Sequence, residues 1–104
     1  MDFIIKDIKE NINWLAREIG YIILEAKSPN EYNMVRKLTG DNYPRFHIYV
    51  KPFGRAQGTA NNYLFNLHLD QKQPSYAGTH AHAGEYEGPV VQDEADRIIE
   101  LFKK

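Results

Sequence analysis

The sequence predicts an α+β fold: a two-layer sandwich in which an antiparallel sheet of three or four strands carries an N-terminal and a C-terminal helix on one face. Three observations point there. Ile4, Ile5, Ile8, Ile12, Leu15 and Ile19 recur at helical steps near the start, and Val91, Ala95, Ile98 and Phe102 do so near the end. Between them, 45–51 and 63–70 alternate apolar and polar residues with a period of two. Two amphipathic helices suffice to cover one face of such a sheet, which leaves the other face open.

The isoleucine stripe predicts one N-terminal helix, with Asp2 placed to cap it and Gly20 to stop it. Trp14 lies about 100° around that helix from Leu15 and so flanks the buried stripe. The stretch from Tyr21 to Ala26 is β-branched and aromatic and is followed by the turn signal Ser28-Pro29-Asn30, which makes it a strand. The stretch from Tyr32 to Leu38 is compatible with a strand or a short helix. The strand is favoured, because Thr39-Gly40-Asp41-Asn42 then forms a hairpin-like connection to the next one.

In the following strand Phe46, Ile48 and Val50 alternate with Arg45, His47, Tyr49 and Lys51. Tyr63, Phe65, Leu67 and Leu69 alternate with Leu64, Asn66, His68 and Asp70 in the one after. One natural antiparallel register sets Phe46 against Leu69, Ile48 against Leu67 and Val50 against Phe65 on the core side. Parity then places Arg45 with Asp70, His47 with His68 and Tyr49 with Asn66 on the open face. Pro89 suits the first position of the C-terminal helix. Asp93, Glu94 and Asp96 lie early in it and Lys103 and Lys104 at its end, as the macrodipole favours.

A chain of 104 residues fits one domain spanning 1–104. Its 42% hydrophobic and 26% charged residues are those of a globular chain, which sets disorder aside. No apolar run approaches the roughly 20 residues that span a bilayer, and the charged start lacks the pattern of a signal peptide. A cytoplasmic location without a membrane partner is the expectation. The absence of cysteine excludes disulfides, thiol nucleophiles and Cys-ligated metals, leaving His, Asp and Glu as side-chain ligands. No phosphate-binding glycine loop and no Gly-x-Ser-x-Gly nucleophile motif is present.

Two segments carry the histidines. His68-Leu69-Asp70 offers two ligands on one side of a strand, and Thr79 to Gly88 (THAHAGEYEG) adds His80, His82, Glu85 and Glu87. The expected site is a histidine and carboxylate pocket on the open sheet face. His68, Asp70, His82 and Glu85 are its ligands for a divalent metal such as Zn, Mn, Fe or Ni, with His47 and His80 next in line. Such an ion would support hydrolysis of a small-molecule substrate. A metal-free version pairs His47 and His68 as general acid and base on a phosphoester, with Arg45 and Lys72 for the anion.

The spacing His80-x-His82 with Glu87 resembles the first metal motif of cupins over that segment alone. The second cupin histidine motif has no counterpart here, so no cupin fold or activity is implied. His47-Ile48-Tyr49 and His68-Leu69-Asp70 faintly resemble the His-x-Thr or His-x-Ser repeats of two-histidine phosphoesterases and depart from them in both copies.

The alternative is a recognition module for RNA or a protein, in which Arg45, Tyr49, Lys51, Arg55 and Lys72 combine phosphate-directed cations with an aromatic surface. The order helix, strands, helix resembles that of double-stranded-RNA-binding domains. The Gly-x-x-Gly clamp, an RNP motif and a net positive charge are all missing. An uncovered sheet face also suits a homodimer.

Overall fold

The computed structural model describes residues 1–28, 30–54, 58, 60–71, 84–85 and 88–103, with the backbone alone for 26–28 and 84–85. Along the chain the elements are β1 (Asp2–Ile8), α1 (Ile12–Ile19), β2 (Ile22–Ser28), β3 (Glu31–Lys37), β4 (Arg45–Pro52), β5 (Asn61–Asp70), β6 (Gly84–Glu85) and α2 (Pro89–Leu101). The strands form an antiparallel sheet in the order β1-β5-β4-β3-β2, and the short β6 pairs with the end of β5. The α+β class stands, with five full strands among the described residues instead of three or four.

The additional strand comes from the segment expected to begin the first helix. Residues 2–8 pair antiparallel with β5, setting Phe3 against Phe65 and Ile5 against Tyr63. A one-residue bulge follows: Asp7 has φ of 62°, its N–H donates to Asn62 Oδ1, and Ile8 resumes opposite Asn61. The extra residue lets Ile5 and Ile8, three apart, both face the core. A bulged strand thereby reproduces a helical step of three. The helix starts only at Ile12, where Asn11 accepts a hydrogen bond from the Trp14 N–H, and it ends as expected at Gly20 in the left-handed region.

β2, β3, β4 and β5 run as a meander, while β1 and β2 occupy opposite edges. The register of β4 on β5 is the one expected from parity, from Arg45 opposite Asp70 to Val50 opposite Phe65. Met34 stands opposite Ile48, and Asn33 opposite Tyr49, so β3 continues the same division of faces.

On one face Met34, Phe46, Ile48, Val50, Phe65 and Leu67 join Leu15, Ala16 and Ile19 of α1 and Val91, Ala95 and Ile98 of α2 in one core cluster. Burial of each large apolar side chain there contributes about 1.5–3 kcal/mol. Trp14 closes the end of this layer edge-on against Phe102, with ring centroids 6.3 Å apart.

Glu94 departs from its expected role as an early acid facing the helix dipole. It sits between Val91 and Ile98 on the buried stripe and is only 4% exposed. Its carboxylate accepts hydrogen bonds from the Tyr21 hydroxyl at 2.5 Å and from Arg97 at 2.6 and 3.0 Å, and it lies 3.4 Å from Arg36. Arg97 also donates to the Ile19 carbonyl, which ties α2 to the end of α1. Burial, then the bond to Glu94 and its charge, push the Tyr21 hydroxyl pKa far above its ordinary value, so Tyr21 remains a donor.

Candidate metal centre

The open face gathers His47 and Tyr49 from β4, His68 and Asp70 from β5 and Asn33 from β3. The alternation that sends Phe46, Ile48, Leu67 and Leu69 into the core turns these residues outward. They are nonetheless well shielded, with His68 at 5% and Asn33 at 8% exposure.

Asp70 is the hub. Its Oδ1 lies 3.0 Å from His68 Nε2, and its Oδ2 lies 3.4 Å from His47 Nδ1 and 3.5 Å from Arg45 Nε. The imidazole centroids are 4.6 Å apart, and the Tyr49 ring packs against both, 4.6 Å from His47 and 5.8 Å from His68. Burial raises the carboxyl pKa of Asp70, but hydrogen bonds and charge from His47 and His68 outweigh it and hold the group well below its usual range. Asp70 is therefore an anion between two rings.

One ligand atom from each of His47, His68 and Asp70 lies within 4.8 Å of the others. An ion bonded to nitrogen and oxygen at about 2.1 Å separates neighbouring ligand atoms by about 3.0 Å in octahedral and about 3.4 Å in tetrahedral geometry. The contacts from the two Asp70 oxygens to the imidazoles have those lengths, while the 4.8 Å limit on the whole set exceeds them, so an ion would draw the three ligand atoms together.

On the far side of His47, Nε2 lies 3.0 Å from Asn33 Oδ1. A hydrogen bond from Nε2–H to that oxygen keeps Nε2 occupied, so an ion would take Nδ1, displacing the hydrogen bond that this nitrogen gives to Asp70. Metal-bound imidazoles are oriented in this way by an acceptor on the second nitrogen.

The structure thus brings together His47, His68 and Asp70. His80, His82 and Glu87 lie outside the described residues. The backbone of Glu85 pairs with Leu69, and that of Gly84 with Asp70, which returns the chain to the end of β5 that carries the site. Asn33 went unrecognised in the sequence, where a lone asparagine in an uncertain segment carries no motif. Its position one residue before Met34 in an alternating strand was the available signal.

The recognition residues divide. Arg45 and Tyr49 belong to the network around Asp70, while Arg55 and Lys72 lie outside the described residues. Lys51 lines a shallow depression on the same face together with Tyr49, Leu64, Asn66 and two acids, Asp2 and Glu31. Asn66 donates to Asp2 there. Those carboxylates oppose a nucleic-acid backbone.

Compared with protein-family models, with curated proteins and with solved structures, the chain matches none of them. Among the described residues, no helix is long and apolar enough to cross a membrane.

Proposed function

We propose that this domain binds a divalent metal through Nδ1 of His47, Nε2 of His68 and the carboxylate of Asp70, and that the site supports hydrolysis. Two imidazoles and one carboxylate on one side of an ion leave positions open, an arrangement suited to Fe, Mn, Ni or Zn. When bound, such an ion supplies a Lewis acid and an activated water. The chain's own residues set the rest. Asn33 selects the tautomer of His47, Tyr49 packs against both rings, and the sheet holds the ligands on adjacent strands rather than on loops.

The observation that carries this reading is the convergence of one ligand atom each from His47, His68 and Asp70 within 4.8 Å of one another, with Asn33 at the far nitrogen of His47. Elemental mass spectrometry tests it on tag-free protein incubated separately with Zn, Mn, Fe and Ni. One ion per chain in the native protein, lost in His47→Ala, His68→Ala and Asp70→Ala, is expected. A native protein that takes up none of the four ions sinks the proposal. Metal-loaded protein would then be screened on ester and phosphoester substrates, with the same variants as controls.

A further inference from the structure

Arg45 stands directly across the β4 and β5 pair from Asp70, yet it bonds poorly to it. The separation of 3.5 Å between Nε and Oδ2 exceeds a good N–H to oxygen hydrogen bond. That Nε is buried and has no hydrogen-bond partner among the described residues. The guanidinium is held in place all the same, its central carbon 4.6 Å from the centroid of the Tyr43 ring. A positioned, shielded cation with an unused donor calls for an acceptor.

Charge gives a second, independent reason. A divalent ion on two neutral imidazoles and one carboxylate keeps a positive charge, and Arg45 adds another beside it. All four side chains are at most one-fifth exposed, with values of 19% for Arg45, 12% for His47, 7% for His68 and 18% for Asp70. Uncompensated charge in such surroundings is unfavourable and is relieved by an anion.

We propose that the site takes an oxyanion, a carboxylate or phosphate group of the substrate, with one oxygen at an open position of the ion and others on the fork of Arg45. The planar guanidinium presents parallel donors that match both groups. This assignment of substrate class rests on the metal reading above.

The test is calorimetric titration of inorganic phosphate and, separately, acetate into the full chain. The protein is first loaded with whichever of Zn, Mn, Fe and Ni it takes up, its metal content having been measured. Native protein is compared with Arg45→Gln and Arg45→Lys, each checked for folding by circular dichroism. Saturable binding that weakens about tenfold or more in Arg45→Gln and recovers partly in Arg45→Lys is expected, because lysine restores the charge without the fork. Preference for phosphate over acetate would assign a phosphoester substrate, and the reverse a carboxylate. No saturable binding to the metal-loaded protein, or equal affinity in native protein and Arg45→Gln, overturns the proposal. If no metal is taken up, the metal reading fails by itself. The metal-free titration then decides the part of Arg45 alone: binding abolished by Arg45→Gln keeps the oxyanion on its guanidinium, and no binding, or binding unchanged in Arg45→Gln, overturns that as well.

Discussion

Oδ1 of Asn33 lies 3.0 Å from Nε2 of His47, across the junction of β3 and β4. Asn33 pairs with Tyr49 rather than with His47, so the contact runs diagonally between strands, within reach because both residues share the open face. It fixes which nitrogen of His47 is left to face Asp70.

Removal of that acceptor is therefore expected to weaken the metal site without touching a ligand. Asn33→Ala should lower metal affinity about 10- to 100-fold, the usual effect of losing a group that orients a metal-bound imidazole. Asn33→Asp keeps an acceptor at the same place and should retain most of the affinity. Competition against a metal-binding dye reads both; equal losses in the two variants would exclude an orienting role for the amide oxygen.

Asp70 also links stability to pH. Its folded pKa is depressed below the ordinary 3.8, so its ionised form stabilises the fold above that value. That contribution is lost as pH falls from there through the lower, folded value. Asp70→Asn should cost about 1–3 kcal/mol near pH 7, in keeping with the loss of hydrogen bonds to a charged group. The gap from native protein should narrow as pH drops below about 4. Urea unfolding of both proteins from about pH 7 to about pH 3 measures it, and a gap of constant size would contradict the linkage.

Metal uptake should fall in acid for a related reason. Protons compete with the ion for His47 and His68, and binding must release them. Calorimetric titrations in buffers of different ionisation enthalpy count the protons released. Affinity independent of pH with no proton release would argue against imidazole ligands.

The buried carboxylate on α2 makes a separate expectation about stability. Tyr21→Phe leaves Glu94 with Arg97 and Arg36 and should cost about 1 kcal/mol. Glu94→Ala also strands the buried Tyr21 hydroxyl and unpairs two arginines, and should cost about 3 kcal/mol. Because this network lies on the helix side of the sheet, both variants should keep native metal stoichiometry. Thermal melts and metal content on the same samples separate the two roles.

The sequence by itself determined the face assignments of β4 and β5. Alternation in 45–51 and 63–70 has an exact period, and one buried face admits few registers. His47 opposite His68 and Arg45 opposite Asp70 were thus legible in the sequence. The end of α1 at Gly20 and the start of α2 at Pro89 were legible too, since each depends on the backbone preferences of a single residue.

Only the tertiary structure decided the rest. Residues 2–8 satisfy a helical spacing and a bulged strand equally well, and the unpaired edge of β5 selects the strand. Glu94 looks like any acid near a helix start until Tyr21, Arg36 and Arg97 surround it. Asn33 gains its meaning from a diagonal contact with a residue fourteen positions away. In each case the deciding partner lies on another element, and local periodicity carries no information about which element that will be.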